Sequence, residues 1–245
     1  MKTVMPDYMA SFHCIAGACR HTCCVGWEID VDEDSLPRFL RDPMIAPHVD
    51  CTDPPHIRLD AGERCPFLRA DGLCEMIVRN GADSLCQICA DHPRFRNFWT
   101  GRTELGLGLV CEEAARLILG HETPMKLIVC EAGADEPLPP DEQALWDLRA
   151  QLWDAITETG PRARLAEYLI YRHLPNALYD GRVAERIQFI RDAYREVTAL
   201  WAETDGSLDA LAERARRWSY DVEYDDEVID ARLDAIETKI SADGR

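Results

Sequence analysis

The hydrophobic positions of the last hundred or so residues recur at three- and four-residue steps, the period of a helix with one buried face. DEQALWDLRAQLWDAITETG (141–160) sets Leu145, Leu148, Leu152 and Ile156 on one side. Asp141 stands as its N-cap after Pro139 and Pro140, and Gly160 as its stop. Pro161 opens a second helix, RARLAEYLIYRHL, that ends before Pro175. GRVAERIQFIRDAYREVTALWAE aligns Val183, Ile187, Ile190, Tyr194, Val197 and Trp201 along a third. Two more are predicted, from Ser207 to about Tyr220 and from about Asp226 to Ile240. Together these elements predict an antiparallel helical bundle.

The first half is patterned differently. Pro43, Pro47, Pro54 and Pro55 and the turn sequences around Cys65 and Cys74 interrupt any period. HIRLD (56–60) followed by AGERCPFLRADGLC predicts a small β-hairpin, and short helices are predicted to start near Ser84 and Cys111. LGLGLV (105–110) holds a lone GxG without the third glycine of a nucleotide loop, so it reads as an ordinary strand leading to Cys111. EAGADEPLPPDE (131–142), rich in Pro, Ala and acid, reads as a linker. The expected fold is therefore mainly α. A cysteine-rich, loop-rich metal-binding half (1–130) with a small β-hairpin is packed on a C-terminal α-helical bundle (141–245).

Composition narrows the function. Of 245 residues 47% are apolar, enough for an ordinary core. No stretch has the apolar length of a secretory signal or a membrane span, which predicts a cytoplasmic protein with no transmembrane segment. The net charge of −18 is spread evenly, with 13 Lys and Arg against 22 Asp and Glu over 1–140 and 14 against 23 over 141–245. Neither half offers the basic face that nucleic acid requires. An acidic surface suits a cationic ligand, such as a lysine-bearing protein or a sulfonium compound, although solubility accounts for most of these charges.

Eleven cysteines in a reducing compartment point to metal ligation before disulfides. They run as Cys14-x4-Cys19-x3-Cys23-Cys24, Cys65-x8-Cys74, Cys86-x2-Cys89 and Cys111, with Cys51 and Cys130 apart. One centre or two are compatible with that count. Structural zinc favours paired CxxC knuckles, and only Cys86 to Cys89 has that spacing; irregular, all-thiolate ligation suits an iron-sulfur cluster better. The Cys-x3-Cys-x2-Cys motif of radical enzymes starts at Cys19 and Cys23 but fails at Gly26.

Five stretches carry a resemblance: YMASFHCIAGACRHTCCVGWEIDVD (8–32), RCPFLRADGLCEM (64–76), CADHPR (89–94), LGLVCEEAARLIL (107–119) and EYLIYRHLPNALYDGRV (167–183). In combination they resemble the FliB-type lysine N-methylases, named for flagellin methylation, and more distantly the wider CxxCxxCC zinc- or iron-chelating proteins. The resemblance implies a cytosolic enzyme that moves a methyl group from S-adenosylmethionine to a protein lysine and depends on a 4Fe-4S cluster. Carried over by position, the family cysteines are Cys14, Cys19, Cys23, Cys24, Cys65, Cys74, Cys89 and Cys111. Cys86, Cys51 and Cys130 are particular to this chain, and Cys86 stays a candidate ligand.

Methyl transfer to lysine needs a neutral amine, hence a group that takes its proton. Asp91 and His92, beside Cys89, are the candidates for that role. Trp27 and Tyr8 are candidate walls for the sulfonium, and Arg94 for the carboxylate of the methyl donor. The plainer roles are core packing for Trp27, capping or support of a ligand for His92, and ion pairing for Arg94. Tyr168 and Tyr171, three apart on a helix, are expected to pack inside the bundle. Two other classes remain open: a non-catalytic zinc or iron-sulfur module that binds a partner, and a redox enzyme that modifies a peptide.

Overall fold

The computed structural model describes residues 1–134 and 136–243. In chain order come strand β1 (Lys2–Pro6), helix α1 (Leu36–Arg41), strands β2 (Val49–Asp50) and β3 (His56–Ile57), and helices α2 (Glu75–Asn80) and α3 (Gln87–Asp91). Strands β4 (Arg94–Trp99) and β5 (Arg102–Leu107), helix α4 (Glu112–Leu119) and strand β6 (Leu127–Glu131) follow. The chain then forms α5 (Pro140–Asp154), α6 (Gly160–His173), α7 (Ala177–Asp180), α8 (Val183–Trp201), α9 (Leu208–Val222) and α10 (Asp226–Asp243). No helix among the described residues is long and apolar enough to cross a membrane.

The fold is mainly helical, as expected, but it also contains a four-stranded sheet that the hydrophobic pattern did not announce. Its order is β4-β5-β1-β6. β4 and β5 form a hairpin closed at Thr100 and Gly101, where Gly101 takes a φ of 70°. β1 lies parallel to β5, with Val4 opposite Glu104, and antiparallel to β6. The first strand is therefore paired with segments about a hundred residues away. The predicted hairpin is smaller and lies earlier than HIRLD suggested, because His56 and Ile57 pair back onto β2.

This pairing redraws the division of the chain. The compact units are residues 14–92, and residues 1–13 joined by those from Pro93 onward. The boundary placed at 131–142 by the cysteine count does not separate them; there the chain has no regular structure at 132–134 and 136–139 and enters α5 at Pro140, while Asp135 lies outside the described residues. β1 and α4 build the same core as α6, α8 and α9, so the segment from 93 to 130 belongs with the helices.

Helix limits follow the predicted signals closely. Ser207 caps α9, its hydroxyl accepting from the Ala210 amide, and Pro161 sits in the first turn of α6. α5 starts one residue before Asp141 and stops at Asp154, six residues short of Gly160. Along α8 the buried face runs through Phe189, Ile190, Ala193, Val197 and Trp201, with Ile187 and Tyr194 on its flank. The LGLGLV glycines are explained by close approach. A Cβ on Gly106 would meet the Phe95 ring at 2.2 Å, and one on Gly108 the Tyr224 hydroxyl at 2.2 Å.

Two buried charge networks fasten the elements of the larger unit, the first joining α5 to the sheet and the second α9 to α6. Glu104 on β5 is fully buried and takes both Nη atoms of Arg149, at 2.6 and 2.9 Å, and the indole N–H of Trp99 at 3.0 Å. The Arg149 guanidinium lies 4.3 to 5.0 Å from the rings of Trp99, Trp146 and Trp153. This explains why α5 buries an arginine beside Leu145. Glu223, just beyond α9, accepts from the Tyr168 hydroxyl at 2.8 Å and from His173 Nε2 at 2.7 Å, with Arg172 Nε at 3.3 Å. Tyr168 in turn accepts from the Leu109 amide, tying α6 to the stretch between β5 and α4. Tyr171 donates to the Leu105 carbonyl at 2.7 Å. Both tyrosines are buried, as expected.

Burial alone would raise the Glu223 carboxyl. The Arg172 charge and the His173 hydrogen bond outweigh it and bring the carboxyl down to about 2. Burial lowers His173, so the ring donates to Glu223 as a neutral imidazole. A depressed carboxyl contributes stability above its unfolded value, near 4.5, and loses it as pH falls toward 2. Urea unfolding should thus show Glu223→Gln losing less stability than wild type between pH 5 and pH 2, by about 3 kcal/mol. Equal losses would contradict this account. Arg149→Met, which leaves the buried Glu104 carboxylate only the Trp99 indole and Arg102 Nε at 3.4 Å, should cost about 3 kcal/mol at neutral pH by the same measurement.

Candidate functional site

Residues 14–92 hold most of the cysteines and a small core of their own. Ile29, Val31, Phe39, Ile45, Val49, Ile57, Phe67 and Met76 form it together with the buried thiols of Cys65 and Cys86. Cys24, Cys74 and Cys89, half-buried, pack against the same cluster. Local backbone pairing brings them there. The Cys65 amide donates to the Cys24 carbonyl at 2.8 Å, next to a β-bridge between Val25 and Arg64. A second bridge joins Leu68 to Cys74, which precedes α2, and Cys86 precedes α3, whose first amide, that of Gln87, donates to Asp32 Oδ2 at 2.7 Å.

The five thiols sense one another. A hydrogen bond from Cys23 lowers Cys24 to about 6, against the effect of burial and with help from Thr22 and the Arg64 charge. The bond from Cys89 lowers Cys86 to about 7, again against burial. Cys89 is correspondingly raised, first by that same bond and then by burial and the charges of Cys86, Cys65 and Cys24. Burial pushes Cys65 up to about 12, and Cys24, Cys74 and Cys86 add to it. Burial also raises Cys74. The bonded pairs thus lower the proton affinity of Cys24 and Cys86, while that of Cys89 rises. No disulfide joins the cysteines, and no group of three or more His, Cys, Asp or Glu side chains among the described residues is arranged to hold a metal ion.

The other predicted ligands lie elsewhere. Cys14 is exposed, its sulfur accepting from the Ala16 amide, and the Cys19 thiol donates to the His21 carbonyl. Cys111 precedes α4 in the other unit, while Cys51 and Cys130 are exposed. Of the catalytic and cofactor candidates, Asp91, His92 and Trp27 fall in the thiol-bearing unit. The Trp27 and His92 rings stand 6.0 Å apart, and Asp91 accepts from the Gln87 side chain. Tyr8 and Arg94 fall in the other unit, with the Arg94 guanidinium 5.3 Å from the Phe12 ring.

The contrast among half-buried thiols is open to measurement. In reduced, metal-free protein at pH 7, iodoacetamide should label Cys24 roughly 10-fold faster than Cys74 or Cys89, read by peptide mass spectrometry. Thr22→Val should narrow the gap. Equal rates would contradict the pairing of Cys24 with Cys23.

Known proteins add a bearing on function. The chain is 29% identical over 161 residues to the Lysine-N-methylase of Salmonella choleraesuis, a match covering 58% of this chain and 40% of that protein. It is 28% identical over 159 residues to the Lysine-N-methylase of Salmonella typhimurium, with the same coverage. It is 27% identical over 134 residues to the Flagellar biosynthetic protein FliU of Salmonella muenchen, covering 50% of this chain and 79% of that one. No family model and no solved structure matches. The chain spans about two fifths of the length of the two lysine methylases it matches, and these relatives support a FliB-type kinship.

Proposed function

We propose that this chain methylates lysine side chains of a protein or peptide, taking the methyl group from S-adenosylmethionine, and that it does so in the cytoplasm with a 4Fe-4S cluster bound. The likeness to two proteins named Lysine-N-methylase carries this reading, and the FliU name makes a flagellar protein such as flagellin the first acceptor to try. The grouping of Cys24, Cys65, Cys74, Cys86 and Cys89 supports the cluster. These residues offer thiolate donors alone, two of them with lowered proton affinity, which is the donor chemistry iron-sulfur clusters use. Four of the five would hold it, each on its own iron, so the sulfurs need not converge on one point. When bound, the cluster would join the segments around residues 24, 65, 74 and 86–89 through iron-thiolate bonds, and that binding free energy would add to folding.

The remaining chemistry falls to side chains. A lysine arrives as an ammonium and must lose a proton before its nitrogen can attack; Asp91 or His92 would accept it. The nitrogen lone pair then forms a C–N bond to the sulfonium methyl as the C–S bond breaks and its electron pair leaves with sulfur. Trp27, beside His92, would face the sulfonium. A groove of about 490 Å³ in the thiol-bearing unit, lined by Glu28, Asp30, Asp53, His56 and Arg58 among others, suits a lysine-bearing peptide by charge. A second reading, a metal module without catalysis, is favoured by the placement of Cys74 and Cys86 at two helix starts, where a zinc or iron-sulfur centre would staple the fold.

Oxygen-free purification with iron, sulfide and zinc analysis, followed by incubation of flagellin or a lysine peptide with labelled S-adenosylmethionine, tests this. The expected result is iron and sulfide in equal amounts, label on lysine, and loss of both iron and transfer in Cys65→Ser and Cys86→Ser but not in Cys130→Ser. Zinc without transfer would carry the second reading. An absence of label with intact iron-sulfur content would leave a redox enzyme in its place.

A further inference from the structure

The four-stranded sheet has two edges, and they are unlike. β4 carries Arg94 and Arg96, charges of the kind that keep an edge strand from pairing with another chain. β6, the other edge, reads LIVCE, with no proline and no charge before its last residue. Ile128 and Val129, neighbours that point to opposite faces, are 37% and 54% exposed, and Cys130 and Glu131 are exposed as well. Both faces of the strand are therefore open from Ile128 onward, although its sequence is as apolar as that of a buried strand.

The phase of the hydrogen-bond ladder fixes what the edge offers. The Asp7 amide donates to the Lys126 carbonyl at 2.8 Å, a bond that flanks the Pro6–Leu127 pair, and Ile128 and Val129 stand opposite Met5 and Val4. In an antiparallel ladder, pairs that exchange hydrogen bonds alternate with pairs that do not. Ile128 accordingly directs its N–H and C=O to Met5, while Leu127 and Val129 turn theirs outward. Among the described residues these outward groups meet no protein partner. The bulge in the ladder falls at Cys130, past this stretch.

Leu127 and Val129 are symmetric about Ile128, and that symmetry selects the occupant. A second copy of β6 laid antiparallel along the edge, with a two-fold axis at Ile128, sets each Leu127 against the partner's Val129, so that both N–H groups and both carbonyls of each such pair are satisfied. Lys126 then comes beside the partner's Cys130 and the partner's Glu131, and the same contact repeats at the other end. Lys126 is exposed and forms no ion pair among the described residues, and the Glu131 carboxylate takes only the Thr3 hydroxyl, at 2.9 Å. With a net charge of −18, copies of this chain repel one another over most of their surface. A strand with an ammonium at one end and a carboxylate at the other reverses that repulsion locally, and only toward an antiparallel copy of itself. We propose that β6 pairs antiparallel with the β6 strand of a second copy of this chain, joining the two sheets edge to edge, with Lys126 and Glu131 of each protomer matched across the axis.

Sedimentation velocity of the full chain at pH 7 and about 0.15 M salt tests this, with reductant present so that Cys130 cannot cross-link the copies. A reversible monomer–dimer equilibrium is expected between about 1 and 300 µM, as for a small, transient interface. Val129→Pro removes an outward N–H and no bond to β1, so the fold should stand while the dimer is lost. Lys126→Glu alone and Glu131→Lys alone should each raise the dissociation constant about tenfold, because each sets like charges together at both ends. An equal mixture of these two variants should recover the wild-type constant, since every ammonium again meets a carboxylate. That rescue needs both variants folded, which circular dichroism checks, and it does not depend on the proline variant. A monomer at every concentration would overturn the proposal and leave the edge to a strand of another protein. A dimer undiminished by Val129→Pro, or a mixture no tighter than its components, would place the contact elsewhere and overturn it too.

Discussion

The placement of β1 governs the rest of the molecule. Held between β5 and β6, the first strand commits residues 1–13 to a core built mostly from residues beyond 93. Everything from Cys14 to His92 is then an insertion whose two ends leave and re-enter the same body. Such a segment pays little in closure entropy for its length but must still hold itself together. Its helices are only five or six residues long and its strands two. The thiols stand among the few apolar side chains that give it a core, so any group bound to them would act directly on the folding of the insertion.

The larger unit relies on a different device. Buried carboxylates join its elements, Glu104 tying α5 to the sheet and Glu223 tying the end of α9 to α6, each satisfied by an arginine and by aromatic donors. Removing one partner from such a group costs far more than the intact pair contributes, which makes these contacts specific about which helix docks where. Phe95 over Gly106 and Tyr224 over Gly108 act in the same sense, since only glycine leaves room for either ring.

How far these features can be read from sequence depends on what each one needs. The late helices were legible because Leu145, Ile190, Val197 and Trp201 keep a local period and Ser207 and Pro161 mark starts. The sheet was not, because its pairing is remote and its buried positions include Asn97, Thr103 and Glu104, which breaks the apolar alternation that signals a strand. Cysteine spacing marked residues 1–130 as chemically distinct but did not say which thiols meet. Cys86, set apart as particular to this chain, lies in the shared cluster, while Cys14 and Cys19 from the dense opening motif lie outside it.

The tryptophans are distributed so that the two units carry separate optical reporters. Trp27 is the single indole of the insertion, beside the His92 ring, whereas the remaining five, three of them around Arg149, belong to the larger unit. Emission from a chain stripped of all but Trp27 would follow the insertion by itself. Emission from its complement would register the docking of α5, so loosening in one body can be seen without interference from the other.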